Sequence, residues 1–181
     1  RDATEAEMWE ALTISQSKEF VETSANITSD LMKAIFENHS LAIDISALKT
    51  SDEYTFKHSV DVATLAMIIA KKLGMSSREV YDIGIAGLLH DMGKAQIPNE
   101  ILNKPGRLTD DEFQVMKSHS RLGYNILKKR NEFPPMIPLA VLQHHEKMNG
   151  TGYPLKCKAD KIVPFAKILS VADVYDALVT E

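Results

Sequence analysis

The chain has 181 residues, 44% of them hydrophobic, and a formal net charge of −4, so it is long enough for one well-buried core and too short to promise two full domains. No stripe of basic residues marks the sequence, which argues against a polynucleotide ligand, although a metal-containing site can still bind a small anion. A single cysteine, Cys157, excludes an intrachain disulfide, and no apolar stretch reaches the ~20 residues of a membrane-spanning helix, so we expect a cytoplasmic chain with no membrane contact from this segment.

Helical periodicity dominates the sequence. No alternating run is long enough to require a strand, so we predict an all-α fold. Apolar residues already recur at helical spacing within residues 1–48, before a polar run at 49–52 interrupts the pattern. We therefore predict an N-terminal helical segment or linker over 1–48 and the main domain over 49–181.

The first helix of this domain is predicted from about His58 to Leu73, with Gly74 as its left-handed cap. The next helix opens with a Ser-x-x-Glu capping box that begins at Ser76. It is apolar nearly all round until it ends at His90, as a buried central helix would be.

A loop with prolines and a glycine separates this helix from a second capping box, which begins at Thr109. One helix is predicted to run from there through Leu127. Two more helices are predicted over 137–147 and 165–179. The glycine-rich stretch between them, residues 149–154, prevents a helix and favours turns.

Five of the six histidines lie in or at the end of these predicted helices: His58, His90, His119, His144 and His145. One isolated histidine on an apolar face is more often a hydrogen-bonded core residue than a ligand. Five such positions are hard to satisfy singly and easy to satisfy together around metal ions. The histidine pattern therefore predicts a metal site.

Two carboxylates and one lysine extend this candidate site. Asp91 directly follows His90 and has two oxygens, so it can bridge two cations. Asp173 lies on the apolar stripe of the last predicted helix, where a cation is the predicted partner and a cap or buried salt bridge is the alternative. Lys94 is a candidate group for a substrate phosphate, with an ordinary surface lysine as the alternative.

The turn after His144 and His145 favours a ligand site at this helix end. Its glycines are expected to let the backbone approach a ligand and to leave a cavity beside the two imidazoles. The alternative is an exposed histidine pair.

Two motifs, residues 90–94 (HDMGK) and residues 144–154 (HHEKMNGTGYP), resemble the HD-GYP family. Further similar segments extend the resemblance over residues 50–181: they are 54–59, 101–106, 119–123 and 170–178. The family implies an HD-domain-like helical bundle that hydrolyses cyclic di-GMP or a related molecule such as 3',3'-cyclic GMP-AMP to a linear dinucleotide. The attacking group would be a hydroxide held between two metals.

Carried over position by position, the resemblance implies two divalent metals, commonly iron or manganese, although zinc and nickel also suit these ligands. One metal would be bound by His58, His90, Asp91 and Asp173. The other would be bound by Asp91, His119, His144 and His145. Lys94 would contact the scissile phosphate, and the remaining substrate contacts are expected at Gly150, Gly152, Tyr153 and Pro154.

Two departures from the family pattern affect these expectations. Family members usually continue with an Arg-Pro-Tyr-Arg-like segment that helps to hold the substrate phosphates, so this domain, which ends at Glu181, is expected to be C-terminally incomplete. Some members place a glutamate one turn before the first ligand histidine and bind a third metal there. This sequence has Tyr54 instead, so we predict two metals, with Glu53 or Asp52 as the alternative third-site ligand.

Two rival functions remain open from the sequence. One is another nucleotide phosphohydrolase of the HD superfamily, against which the Gly150–Pro154 turn argues. The other is a catalytically weak binding module that docks a GGDEF-type partner through the turn at Tyr153. The sequence does not choose between cyclic di-GMP and 3',3'-cyclic GMP-AMP as substrate.

Overall fold

The computed structural model describes residues 53–131 and 133–180, together with Asn26 and Asp30. The predicted N-terminal segment lies outside the described residues except for those two positions, which are helical and exposed. Asp52 and the side chains of Glu53 and Tyr54 also lie outside the described part. The prediction of two metals, which depends on them, stays a prediction.

The regular structure of the described residues is helical. It comprises α1 (Glu53–Lys72), α2 (Ser77–Leu89), α3 (Asn99–Leu102), α4 (Asp110–Lys117), α5 (His119–Lys128), α6 (Met136–Gln143) and α7 (Pro164–Val179). Two 3₁₀ turns, Met92–Gln96 and Ala159–Lys161, and one isolated antiparallel bridge between Asn149 and Lys158 complete it. This confirms the predicted all-α class.

The chain forms two compact units. In the described part of the chain, the first comprises residues 53–88 and 168–180, and the second comprises residues 89–131 and 133–167. Each unit has buried apolar side chains of its own. Those of the first unit include Val62, Ile69, Ile83 and Leu169, and those of the second include Met92, Leu127, Ile137 and Val141.

In the first unit, α2 packs closely on α1 because α2 presents glycines to it. A Cβ at Gly87 would lie 2.6 Å from the Cα of Ala63, and a Cβ at Gly84 would lie 2.6 Å from the Met67 sulfur. Real Cβ atoms essentially never approach that closely. Gly87, which meets backbone, therefore sets the spacing of the helices, whereas the Met67 side chain could move away from a Cβ at Gly84.

The predicted helix ends are confirmed at three places. Gly74 has a φ of 73°, and the Met75 amide donates to the Ala70 carbonyl as in a Schellman motif. At the start of α2, the Ser76 amide donates to the Glu79 carboxylate and the Glu79 amide donates to the Ser76 hydroxyl. The capping box at Thr109 opens α4 in the same way.

In the second unit, α5 lies directly against the 3₁₀ turn that follows Asp91. A Cβ at Gly93 would overlap the carbonyl oxygen of His119 and lie 2.6 Å from the Gly123 nitrogen. A Cβ at Gly123 would in turn lie 3.0 Å from Val141 of α6. This glycine contact brings the start of α5 close to Asp91.

The single helix predicted from Thr109 through Leu127 is instead two helices, α4 and α5, which meet at Ser118. The Ser118 hydroxyl donates to the Val115 carbonyl at 2.6 Å, and the His119 ring donates to the Met116 carbonyl at 2.8 Å. Two side chains thus donate hydrogen bonds to carbonyls at the end of α4. Serine side chains compete with backbone amides for such hydrogen bonds, and this favours the end of a helix at Ser118. The break makes His119 the first residue of α5.

The helix predicted over 137–147 ends earlier, at Gln143. The Glu146 amide donates to the Gln143 carbonyl across a turn, so His144 and His145 lie just beyond α6. The stretch from residue 90 to the capping box at Thr109 was predicted as the end of a helix followed by a loop. It contains the 3₁₀ turn Met92–Gln96 and the short helix α3, neither of which was predicted.

Candidate metal centre

Four predicted ligands come together in the second unit: Asp91, His119, His144 and His145. Each offers one ligand atom, and all of these atoms lie within 4.8 Å of one another. Three of the four residues are buried, and His145 is partly exposed. They come from the turn after α2, the start of α5 and the turn after α6, so helix ends supply the whole cluster.

The side-chain distances define a compact arrangement. The Asp91 Oδ1 atom lies 3.3 Å from His119 Nε2 and 3.9 Å from His144 Nε2. The His119 Nε2 atom lies 3.4 Å from His144 Nε2 and 3.2 Å from His145 Nε2. Three imidazole nitrogens and one carboxylate oxygen therefore converge on a single point.

Two backbone carbonyls fix the tautomers of this cluster. The His119 Nδ1 atom donates to the Met116 carbonyl at 2.8 Å, and His144 Nδ1 donates to the Val141 carbonyl at 2.6 Å. A carbonyl oxygen only accepts, so both Nδ1 atoms carry the proton and, in a neutral ring, both Nε2 atoms present a lone pair. Two lone pairs that face each other in a buried site repel, whereas a cation between them binds both.

The pKa shifts of His144, His119 and Asp91 favour the protonation states in which these side chains bind a metal. Burial lowers the pKa of His144 well below its ordinary value, and burial also lowers the pKa of His119. Burial raises the pKa of the Asp91 carboxyl, but its interactions with His90, Lys94 and His119 lower it by more, so its pKa lies well below the ordinary value. Neutral imidazoles beside a carboxylate anion are ligands for a divalent cation, so the cluster fits a metal.

The second oxygen of Asp91 has different neighbours from the first. Its Oδ2 atom lies 3.4 Å from Nε2 of the fully buried His90 and accepts a 2.7 Å hydrogen bond from the Lys94 ammonium. The His90 ring also lies edge-on to the His144 ring, with centroids 5.1 Å apart. The two oxygens therefore face different groups, as the predicted bridging role of Asp91 requires.

The first unit contains two other predicted ligands in direct contact. The His58 Nε2 atom lies 2.9 Å from an Asp173 oxygen. Both side chains are largely buried, with 10% and 15% exposed. The predicted grouping of this pair with His90 and Asp91 stays a prediction.

Asp176 is a neighbour of His58 that the sequence analysis did not select. Its carboxylate accepts a 2.6 Å hydrogen bond from His58 Nδ1, and the Thr180 hydroxyl donates to its other oxygen at 3.3 Å. The only signal in the sequence is its i+3 spacing from Asp173, which places both carboxylates on one face of α7. Asp176 holds the His58 ring so that Nε2 faces Asp173.

The glycine-rich turn folds back on the chain that precedes it. The Tyr153 amide donates to the His145 carbonyl at 3.2 Å. A Cβ at Gly152 would lie 2.5 Å from the Glu146 Cα, and Gly150 has a φ of 82°. Gly152 therefore allows the turn to approach the chain's own backbone closely. The expected approach of this turn to a ligand stays a prediction.

The expected cavity beside the two imidazoles is partly filled. The Tyr153 ring stacks on the His145 ring, with centroids 4.8 Å apart and planes at 27°. Pro154 follows through a cis peptide bond. The predicted substrate contacts of this turn, at Gly150, Gly152, Tyr153 and Pro154, stay predictions.

Glu146 is a second residue that the sequence analysis did not select for the site. It is buried, and its two carboxylate oxygens accept hydrogen bonds from the backbone amides of Leu155 and Cys157. The Glu146 side chain thus connects the backbone just beyond the turn to the end of the histidine pair. The sequence signal for Glu146 is its position between the histidine pair and the glycines. That position does not by itself predict which groups the carboxylate bonds.

Among the helices of the described part, none has the length and apolar character needed to cross a bilayer.

The chain is similar in sequence and in fold to known proteins. The HD domain family model matches residues 40–181. A cyclic di-GMP phosphodiesterase of Pseudomonas aeruginosa is 36% identical over 158 residues, which are 87% of this chain and 38% of that protein. The 3'3'-cGAMP-specific phosphodiesterase 3 of Vibrio cholerae is 38% identical over 128 residues, which are 71% of this chain and 28% of that protein.

A solved structure is also similar. Bd1817, an HDG"Y"P protein from Bdellovibrio bacteriovorus, matches with a TM-score of 0.61 and 25% identity, over 97% of this chain and 58% of that one. The chain thus spans less than half the length of the two curated relatives. Because the family model matches more than half of the chain, the chain belongs to the HD domain family and, within it, to the HD-GYP proteins.

Proposed function

We propose that the chain hydrolyses a cyclic dinucleotide, cyclic di-GMP or 3',3'-cyclic GMP-AMP, to a linear dinucleotide in a metal-dependent reaction. The observation that carries this proposal is the cluster of Asp91, His119, His144 and His145, whose ligand atoms lie within 4.8 Å of one another. Two relatives, one named a cyclic di-GMP phosphodiesterase and the other a 3'3'-cGAMP-specific phosphodiesterase, support the substrate class.

The proposal includes two divalent metals, iron or manganese, with zinc or nickel also suited to the ligands. In this proposal the cluster in the second unit would hold one of them, and His58, His90, Asp91 and Asp173 keep their predicted role as ligands of the other, with Asp91 as the bridge. Bound metals supply Lewis acidity to the phosphodiester and to the attacking water.

The residues of the chain prepare this chemistry. The carbonyls of Met116 and Val141 hold His119 and His144 with Nε2 free of a proton, so no deprotonation is needed before a metal binds. Lys94 is 31% exposed while it bonds Asp91, so its ammonium is within reach of both the cluster and a substrate phosphate.

The test is metal analysis of the purified protein followed by product analysis with each cyclic dinucleotide. We expect bound transition metal and a linear dinucleotide product from at least one substrate, and a chelator should abolish turnover. Metal-loaded protein that leaves both cyclic dinucleotides intact would overturn the proposed activity. Hydrolysis of nucleoside mono- or triphosphates by that same sample would favour the alternative phosphohydrolase of the HD superfamily.

A second candidate function is a binding module for a GGDEF-type partner. The observation in its favour is that the region of the turn exposes two large apolar side chains, Met148 at 56% and Leu155 at 45%. Such side chains are common in protein interfaces. Replacing both by serine should abolish capture of a purified GGDEF domain while leaving metal content unchanged. Binding of that domain equally to both proteins would exclude this surface.

A further inference from the structure

Lys117, the last residue of α4, carries a half-buried positive charge close to the metal centre. Its ammonium lies 4.5 Å from the ring centroid of Phe113 and 5.6 Å from that of Tyr153. No carboxylate of the described residues forms an ion pair with it. The charge is therefore held by the faces of two aromatic rings, which attract a cation without neutralising it.

The aromatic support links this charge directly to a predicted ligand. Tyr153, one of the two rings, stacks on His145 with centroids 4.8 Å apart. Lys117 also lies only two residues before His119, and its carbonyl accepts a hydrogen bond from the Ser120 hydroxyl at 3.3 Å. The Tyr153 ring thus lies between the ammonium and the His145 ring of the metal cluster.

Two other lysines of the second unit form ion pairs with carboxylates. The Lys94 ammonium bonds Asp91 at 2.7 Å, and Lys104 bonds Glu112 at 2.6 Å. A carboxylate partner offsets the charge of each of them. Lys117 keeps its full charge for an anion from outside the chain.

We propose that Lys117 binds the phosphate of the substrate that is not being cleaved, and that Phe113 and Tyr153 hold its ammonium in place for this contact. The inference rests on the proposed function. A cyclic dinucleotide carries two phosphodiester groups in one ring, so a second anion lies close to the one at the metal cluster. An ammonium binds such a group as a point charge, and the partial burial of Lys117 strengthens the attraction.

The experiment compares two substrates in the metal-loaded protein. Lys117→Met keeps the apolar stem over the rings and removes the charge. We expect its KM for the cyclic dinucleotide to rise about 10-fold or more, as loss of a charge-assisted hydrogen bond implies. Its kcat/KM for bis(p-nitrophenyl) phosphate, which has a single phosphodiester group, should not change. Lys117→Arg should keep most of the cyclic dinucleotide affinity.

The matched control is Lys128→Met. The Lys128 ammonium lies 5.4 Å over the Tyr124 ring in α5, so the variant removes a comparable cation–π contact without touching the rings beside His145. We expect this variant to show the wild-type KM for both substrates. Metal content, measured in every variant, should equal that of the wild type.

Each outcome decides the assignment. A wild-type protein that hydrolyses the cyclic dinucleotide, with an unchanged KM in Lys117→Met, would show that Lys117 does not bind substrate. Equal losses on both substrates, or a loss of metal, would make Lys117 a structural residue of the metal centre. A wild-type protein that hydrolyses bis(p-nitrophenyl) phosphate but no cyclic dinucleotide would instead refute the proposed function.

Discussion

At the scale of single residues, the environment of Asp91 determines what the site can do. One of its oxygens faces His119 and the other accepts a hydrogen bond from Lys94. Its carboxylate is buried, and a buried anion is stable only with cationic or hydrogen-bonding partners. A divalent metal would add to those partners without displacing the side chain.

The first prediction concerns the charge of this carboxylate. Asp91→Asn keeps the shape of the side chain but removes its negative charge and one oxygen, so we expect lower metal content and loss of turnover. Metal analysis of the purified variant checks this. Asp82→Asn in α2, whose carboxylate bonds Arg78 at 3.0 Å, is the matched control and should keep its metal. Wild-type metal occupancy and activity in Asp91→Asn would refute the bridging assignment.

The second prediction separates the metal from the substrate at Lys94. An ammonium is not a metal ligand while it is charged, so Lys94→Ala should keep its metals and lose rate. Metal analysis and steady-state kinetics on the same sample test this. Lys104→Ala, which breaks an ion pair with Glu112, should change neither quantity. An emptied metal site with normal substrate binding after metal is restored would reassign Lys94 as structural.

The third prediction concerns Asp176 as a positioning residue for His58. Asp176→Asn keeps an acceptor but removes the charge that orients the ring and strengthens its basicity, so metal affinity should fall about 10- to 100-fold. Competition with a chelator measures the affinity. In the metal-free variant, nitrogen NMR should show a shift of His58 away from the tautomer protonated at Nδ1.

A control for this change is Asp160→Asn, since Asp160 is 73% exposed and lies in the second unit. It should leave both the metal affinity and the His58 tautomer unchanged. An unchanged His58 spectrum in Asp176→Asn would show that the carboxylate does not set the tautomer.

At the scale of elements, the ends of helices supply the candidate metal centre. Asp91 follows α2, His119 begins α5, and His144 and His145 follow α6. Helix ends leave backbone carbonyls unpaired, and the imidazoles of His119 and His144 use such carbonyls to fix their tautomers. The same feature that ends each helix thus orients a ligand.

The fourth prediction tests the contact between α5 and the turn after Asp91. In Gly93→Ala the added methyl group would overlap the His119 carbonyl, and neither backbone can yield cheaply. We expect a loss of about 1–3 kcal/mol in the free energy of unfolding and a lower metal affinity, because α5 must move away from Asp91. Denaturant unfolding and metal titration measure the two effects.

Gly123→Ala is the milder comparison, since its methyl group would meet the Val141 side chain at 3.0 Å, whereas the methyl group of Gly93→Ala would overlap backbone. It should cost less stability than Gly93→Ala and keep more of the metal affinity. Equal stability of the Gly93 variant and the wild type would show that the close contact does not set the position of α5.

At the scale of the whole molecule, the fifth prediction concerns the number of metals that one chain binds. The third-site position is Tyr54, a neutral phenol that is a poor ligand for a divalent ion. We therefore expect two metals per chain. An anomalous-scattering map of a metal-loaded crystal measures the number. Three fully occupied positions, with Glu53 or Asp52 as a ligand, would contradict the prediction.

The sequence by itself determined the helical class, the capping boxes at Ser76 and Thr109 and the left-handed end at Gly74. These features depend on neighbouring residues only, so local patterns reveal them. It also selected the residues that form the cluster in the second unit, because a histidine on an apolar helix has few other ways to satisfy its nitrogens.

Only the tertiary structure decided which groups surround each ring. Three contacts are examples: Asp176 bonds His58, Tyr153 stacks on His145, and the Lys117 ammonium lies over the Tyr153 ring. None of them joins residues that are neighbours in the sequence. Sequence periodicity gives the face on which a side chain lies but not the atom that it meets. The atom that a side chain meets depends on how the helices pack. Glycines such as Gly93 determine that packing by allowing close contacts between elements, and no local sequence pattern encodes those contacts.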